Sequence, residues 1–88
     1  GHFLAYTDDP ELLLAEIMGR VTGASGGRGG SQHLCARNFY SNGIQGGIAP
    51  VAAGMALAEE HKGSGAIAVC CLGDGTLGEG TVYETLNL

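Results

Sequence analysis

The pattern of apolar and polar positions predicts an amphipathic helix near the start of the chain. Asp9, Pro10 and Glu11 form a helix start, because aspartate caps, proline fits the first turn and glutamate meets the positive end of the helix dipole. An apolar stripe follows at helical spacing, and we expect it to be a packing surface: Leu13, Leu14, Ile17 and Met18. Gly19 or Gly23 would end this helix.

The same pattern predicts three further elements. A second helix is expected over residues 46–62, with Pro50 near its first turn and Gly63 as its stop. Residues 66–72 are continuously apolar, which predicts a strand buried on both faces, as in a parallel sheet. A third helix begins at residue 81 and continues to Leu88.

The stretch between the first two helices, residues 22–43, has no clear period and is rich in Gly, Ser and Asn. Such a long irregular stretch in a compact domain is usually functional or disordered. Anchoring side chains such as Leu34 and Phe39 favour order, so we expect an ordered loop that borders a site. For His33, a loop residue with a backbone partner is favoured over a ligand or catalytic role.

Composition narrows the class of protein. The chain has 17 glycines among 88 residues, a net charge of −5 and four basic residues. This charge argues against nucleic acid as the main partner. The longest apolar run is shorter than the roughly 20 residues that a membrane span needs. The chain lacks an initial methionine and stops inside a helical pattern, so we expect one fragment of a longer domain, truncated at both ends.

The three cysteines, Cys35, Cys70 and Cys71, lack the spacing of a metal site. We expect Cys70 and Cys71 to be buried, reduced packing residues of the predicted strand. Reduced cysteines suit a cytoplasmic compartment or an organelle matrix.

The candidate chemistry lies where the predicted strand ends. Asp74 stands between Gly73 and Gly75 directly after the apolar run. Mg²⁺ takes one or two protein carboxylates and leaves other positions to phosphate oxygens, and glycines let the backbone approach such oxygens. Glycine-flanked aspartates also form ordinary turns, so the tripeptide alone indicates a metal-bound diphosphate only weakly.

Several linked motifs carry a more specific resemblance. In chain order they are Gly29-Gly-Ser-Gln-His-Leu34, Asn38-Phe-Tyr-Ser-Asn-Gly-Ile44, the alanine-rich helix, Gly73-Asp-Gly75, Glu79-Gly80, Tyr83-Glu84 and Asn87. Together they resemble the alpha subunit of thiamine-diphosphate-dependent 2-oxo acid dehydrogenase E1 components, of the pyruvate or acetoin dehydrogenase type. The resemblance covers essentially the whole chain.

This resemblance implies a set of cofactor-binding positions. Asp74 matches the family's Mg²⁺ ligand, and Gly75 and Thr76 match positions whose backbone meets the diphosphate. Gly43 and Gln45 match positions that line the aminopyrimidine through main-chain contacts. The full implied cofactor-binding set is Ala36, Gly43, Gln45, Asp74, Gly75 and Thr76, with Ala36 where the family loop approaches the substrate end of the cofactor.

The resemblance also implies a fold, an activity and partners. The fold is a doubly wound thiamine-diphosphate-binding α/β domain with a parallel sheet. The activity is oxidative decarboxylation of a 2-oxo acid, or cleavage of acetoin, with acyl transfer to lipoamide. The partners are an E1 beta subunit in an α2β2 heterotetramer and a lipoyl-bearing E2 acyltransferase. No residue of this chain is assigned as catalytic, Glu79 is interpreted as stabilising a helix N-terminus, and we expect the isolated chain to be inactive.

Two other functions remain open from the sequence. One is a different thiamine-diphosphate enzyme, either transketolase-like or a synthase, which would share the Gly73-Asp74-Gly75 opening. The other is a non-catalytic, glycine-rich binding module, which 17 glycines and the lack of an identifiable base permit.

Overall fold

The helices and strands divide between two compact units of the chain. The computed structural model describes all 88 residues, and the chain divides into two compact units, Gly1–Gly43 (the N-terminal unit) and Ile44–Leu88 (the C-terminal unit). The N-terminal unit contains α1 (His2–Thr7), α2 (Pro10–Ile17), β1 (Cys35–Ala36) and β2 (Phe39–Tyr40). The C-terminal unit contains α3 (Ala49–Lys62), a 3-10 turn (Asp74–Gly78) and α4 (Gly80–Leu86).

The predicted start of α2 is confirmed. Asp9 is its N-cap, and the Leu12 amide donates to Asp9 Oδ1 at 3.0 Å. The apolar stripe on this helix is not a packing surface within this chain, however. Leu14, Ile17 and Met18 are each more than half exposed, whereas Glu16 is fully buried. The prediction that the stripe is covered was therefore wrong for this structure.

The N-terminal unit has a small aromatic core that joins α1 to the two strands. Phe3 is buried, and its ring meets that of Phe39 edge to face, with centroids 5.4 Å apart, a favourable geometry for aromatic pairs. The strands pair antiparallel with Ala36 opposite Phe39. Arg37, in the turn between them, donates from Nη1 to the Thr7 carbonyl at 3.1 Å. This contact ties the hairpin to the end of α1.

The C-terminal unit is built on α3 and α4. The predicted end of α3 is confirmed, because Gly63 caps it in the left-handed conformation with φ 63°. Val82 of α4 is 2% exposed. An apolar groove of about 230 Å³ lies between α3, α4 and the segment that precedes the 3-10 turn. Its lining includes Ala49, Ala53, Ala68, Cys70, Val82 and Leu86.

Residues 66–72, which we call the apolar segment, differ from the prediction. They form no hydrogen-bonded strand, and the sheet that the structure contains is the two-stranded antiparallel hairpin β1–β2. Ile67 and Val69 are 83% and 78% exposed, so the prediction of burial on both faces was wrong. The physical reason is that no other strand of this chain pairs with the segment, and an unpaired strand has only the covering of α3 and α4 on one side.

The two adjacent cysteines of the apolar segment differ in exposure. Cys70 is half-buried in the groove and Cys71 is exposed, so the prediction that both are buried was wrong for Cys71. Burial, reinforced by the neighbouring Cys71, raises the pKa of the Cys70 thiol. All three cysteines are free thiols.

No helix in the structure combines the length and apolar character needed to cross a bilayer.

Candidate cofactor site

The 3-10 turn Asp74–Gly78 presents a carboxylate at its first position. Asp74 is exposed, and the preceding residue, Gly73, has an extended backbone with φ −76° and ψ 156°. The Thr76 amide donates to the Gly73 carbonyl at 3.0 Å, and Thr76 is 8% exposed. Thr76 therefore closes the turn from inside, while Asp74 faces solvent.

A second predicted residue, Gln45, lies beside this turn. Its side-chain amide is 3.7 Å from the point that a Cβ on Gly75 would occupy. The bare backbone of Gly75 thus leaves space beside a polar side chain, so the structure brings Gln45 and Gly75 together. Since the Thr76 amide is engaged with Gly73, Gly75 is the better placed of the two to offer an amide to an anion.

The C-terminal side of the turn is fixed by α4. Tyr83 donates from its hydroxyl to the Leu77 carbonyl at 2.6 Å. Glu79 stands immediately before α4, at the position the sequence predicts, and makes no capping hydrogen bond with its side chain. Its Cβ lies 3.1 Å from the point that a Cβ on Gly46 would occupy. The end of the turn is thus tied to α4 through Tyr83, and Glu79 packs closely beside Gly46.

The other two predicted site residues lie in the N-terminal unit. Ala36 is in β1, paired with Phe39, and Gly43 follows the hairpin. The Gln32 side chain occupies the space into which a Cβ on Gly43 would project. An open cleft of about 330 Å³ lies here, with a lining that includes His2, Phe3, Gln32, Leu34, Phe39 and Gly43. Gly43 therefore contributes bare backbone to a cleft with both polar and aromatic walls.

His33 lies in the irregular stretch, residues 22–43, and its main chain is hydrogen-bonded there, while a backbone partner for its side chain stays a prediction. Its amide donates to the Gly29 carbonyl at 3.1 Å, and its carbonyl accepts from Ser25 Oγ at 2.8 Å. The side chain is exposed. The backbone of His33 is therefore part of the loop's hydrogen-bond network.

The sequence pattern did not predict the burial of Glu16. The Glu16 carboxylate is 0% exposed and accepts three backbone amides: Ser25 at 2.6 Å and Gly27 at 2.8 Å on Oε2, and Gly29 at 2.6 Å on Oε1. Burial raises the pKa of Glu16, but the amide donors outweigh it and place the pKa below its usual value. The signal available in the sequence was a lone acid amid an apolar stripe, followed by a glycine-rich loop.

The donor set suits a shared metal site rather than a cage made by this chain alone. No group of three or more His, Cys, Asp or Glu side chains is placed to hold a metal ion. Mg²⁺ commonly takes one or two protein carboxylates and completes its shell with water and phosphate oxygens. A single exposed Asp74 beside the bare backbone of Gly75 fits such a site.

Comparison with known proteins agrees with the motifs. The profile of the family described as "Dehydrogenase E1 component" matches residues 1–88. The chain is 41% identical, over its full length, to the "Pyruvate dehydrogenase E1 component subunit alpha" of Zymomonas mobilis, and 42% identical over 99% of its length to the protein of the same name from Rickettsia bellii. It is 46% identical over 89% of its length to the "Pyruvate dehydrogenase E1 component subunit alpha, mitochondrial" of Kluyveromyces lactis.

The chain spans 26%, 28% and 19% of the lengths of these three relatives. The family match is nevertheless continuous, since it includes the glycine-rich loop, the hairpin, α3 and the turn at Asp74. With every residue inside the family profile, this chain belongs to the dehydrogenase E1 component family.

Proposed function

We propose that this chain is part of the alpha subunit of a 2-oxo acid dehydrogenase E1 component that binds thiamine diphosphate with Mg²⁺ and acts on pyruvate. The observation that carries the proposal is the exposed Asp74 at the head of a fixed turn, next to the bare backbone of Gly75 and the amide of Gln45. Its support is the family match over all 88 residues and the similarity to pyruvate dehydrogenase alpha subunits.

Each residue of the turn has a distinct part in this proposal. Asp74 would hold Mg²⁺ through its carboxylate, and Gly75 would offer an amide to the diphosphate. Thr76, buried under the turn, would keep Asp74 pointing outward. Gln45 and Gly43 would line the aminopyrimidine, and Ala36 would lie toward the substrate end.

The bound cofactor would supply the nucleophilic carbon that attacks the 2-oxo acid and the thiazolium ring that takes up the electrons released with CO₂. This chain's residues would bind and orient it, and none is required as a general base. The carboxylate that activates the aminopyrimidine would come from a beta subunit. We therefore assign no catalytic residue here.

The proposal includes the larger architecture. The apolar segment would be a strand of a parallel sheet in a doubly wound domain, where both of its faces would be covered. The assembly would be an α2β2 heterotetramer that delivers acyl groups to a lipoyl-bearing acyltransferase. The location would be the cytoplasm or an organelle matrix.

Calorimetric titration of the complete alpha subunit, assembled with its beta subunit, tests the site. Thiamine diphosphate should bind only weakly without Mg²⁺ and tightly with it, and Asp74→Ala should abolish the Mg²⁺-dependent part. The matched control is Glu60→Ala, which removes an exposed acid from α3 and leaves the turn intact. Unchanged affinity in Asp74→Ala would refute the site assignment.

A substrate assay on the same complex tests the reaction. Pyruvate should be decarboxylated with reduction of lipoamide as acceptor, and acetoin serves as the competing substrate. Turnover of sugar phosphates, but of neither of these, would replace the proposal with a transketolase-like enzyme. Absence of any cofactor binding by the wild type would leave the glycine-rich binding module as the better account.

A further inference from the structure

The Glu16 carboxylate is the one charged group that the chain buries completely, and the proposed function gives it no task. Burying a carboxylate is costly unless several donors compensate for the lost water. Glu16 has three such donors, all of them backbone amides of one glycine-rich loop, residues 23–30. The loop amides therefore stabilise the buried carboxylate, and the carboxylate in turn fixes the conformation of the loop.

The loop is built around this carboxylate at close range. Gly27 has φ +76°, and a Cβ there would lie 2.5 Å from the carbonyl carbon of Gly19. A Cβ on Gly23 would lie 2.5 Å from both Cα and Oε2 of Glu16. The loop backbone can approach α2 and the residues that follow it this closely only where side chains are absent.

From the loop, the contacts continue into the segment that precedes β1. Ser25, whose amide binds Glu16, donates from Oγ to the His33 carbonyl at 2.8 Å. The same Oγ accepts the Cys35 amide at 3.0 Å. One serine thus connects the carboxylate to the start of the hairpin, where Ala36 lies.

A second serine carries the network to Gly43. Ser41 Oγ donates to the Gln32 carbonyl at 2.7 Å and accepts the Leu34 amide at 3.0 Å. The side chain of Gln32 in turn packs against the bare backbone of Gly43. Ala36 and Gly43 are therefore placed by one polar network that begins at Glu16.

We propose that Glu16 is a positioning residue, whose buried carboxylate fixes the glycine-rich loop and, through Ser25, sets the hairpin and the Gly43 backbone for the cofactor. The inference rests on the proposed function, because Ala36 and Gly43 face a cofactor only if one binds there. Because Glu16 is fully buried, it would touch neither the cofactor nor the substrate.

Two variants and one control test the inference in the complete alpha subunit with its beta subunit. Glu16→Gln keeps the shape but turns one acceptor oxygen into a donor, so at least one loop amide loses its partner. Ser25→Ala removes the connecting hydroxyl without altering a buried charge. Glu11→Gln, on an exposed position of the same helix, is the control.

The first readout is hydrogen exchange in the absence of cofactor. Glu16→Gln should speed exchange at the amides of Ser25, Gly27 and Gly29 and through residues 32–41, while α3 keeps its wild-type protection. The second readout is the Kd of thiamine diphosphate with Mg²⁺. It should rise about tenfold or more in Glu16→Gln and Ser25→Ala, as is usual when a supporting residue is lost, and stay within about twofold in Glu11→Gln.

Wild-type Kd values in both folded variants would overturn the inference, as would unchanged exchange of the loop in Glu16→Gln. If Glu16→Gln fails to fold, Ser25→Ala decides by the same two measurements. If the wild type itself binds no cofactor, the proposed function fails instead, and the exchange data still decide whether Glu16 fixes the loop.

Discussion

The glycine-rich loop, residues 23–30, and the apolar segment, residues 66–72, differ in how they are stabilised within this chain. The loop is short of apolar side chains, yet it is held by a buried carboxylate with three amide donors. The apolar segment has the composition of a buried strand, yet Ile67 and Val69 are largely exposed. Polar loops can be satisfied locally, whereas an apolar strand needs a covering surface that this chain does not provide.

The largest effect that separates the two regions is expected from adding a methyl group inside the loop. Gly27→Ala should lower the free energy of unfolding by roughly 2–4 kcal/mol, because it combines a strained positive φ with overlap against the Gly19 and Arg20 backbone. Thermal or urea unfolding followed by circular dichroism measures this.

Gly26→Ala is the matched control for that substitution. Gly26 has a similar φ of +66°, but nothing lies within 4 Å of its added Cβ, so only the conformational cost of about 1–2 kcal/mol applies. Equal losses in the two variants would mean that the close approach of Gly27 to the backbone of Gly19 and Arg20 contributes nothing.

Acid should weaken the loop before it affects the apolar segment. The pKa of Glu16 is lowered in the folded protein from its ordinary value of 4.5. Its ionised form therefore stabilises the fold above about pH 4.5, and this contribution disappears as the pH falls through the folded-state pKa. The stability difference between wild type and Glu16→Gln should be constant from pH 7 to 5 and shrink below pH 4.5.

Urea unfolding of both proteins across this range checks the sign. A gap that widens on acidification would contradict a lowered pKa. Glu11→Gln serves again as the control, because the Glu11 side chain is exposed.

Thiol labelling should report how much of the apolar segment is covered. The thiolate is the reactive form, and burial raises the pKa of the Cys70 thiol whereas Cys71 is exposed. In the chain of this structure, Cys71 should react with a thiol reagent faster than Cys70. In the complete subunit, the proposed sheet should protect both, while Cys35 provides an exposed reference. Rapid labelling of Cys71 in the complete subunit would contradict the sheet.

The smallest effect is expected on the exposed face of the apolar segment. Val69→Thr should change the stability of this 88-residue chain by no more than about 0.5 kcal/mol, because the side chain is 78% exposed. In the complete subunit the same change should cost roughly 1–3 kcal/mol, the usual penalty for burying a hydroxyl. If Val69→Thr left the stability of both the 88-residue chain and the complete subunit unchanged, the proposed burial of this face in the complete subunit would be contradicted.

Local signals in the sequence were sufficient for some of the fold. The start of α2 at Asp9-Pro10 and the end of α3 at Gly63 are confirmed, because capping and left-handed glycine act within one turn of chain. The resemblance to E1 alpha subunits is also confirmed by the family match and the relatives. The cofactor-binding residues and the parallel sheet stay predictions.

What the sequence did not reveal depends on contacts between distant residues. Helix α1 lacks a side-chain cap, and Phe3 packs on Phe39, 36 positions later. The hairpin turns at Arg37, which has a positive φ of 56°, and the sequence has no glycine at this position to signal the turn. Glu16 lies outside the stripe expected for burial, since apolar periodicity takes no account of backbone donors supplied by a loop.

The most direct test of the metal site is Mn²⁺ substituted for Mg²⁺ in the complete alpha subunit with its beta subunit, observed by electron paramagnetic resonance. The wild type should bind one Mn²⁺ tightly, and only when thiamine diphosphate is present. Asp74→Ala should leave the Mn²⁺ free, while Glu60→Ala should bind it as the wild type does. Full Mn²⁺ binding by Asp74→Ala would contradict the assignment of this turn as the metal ligand.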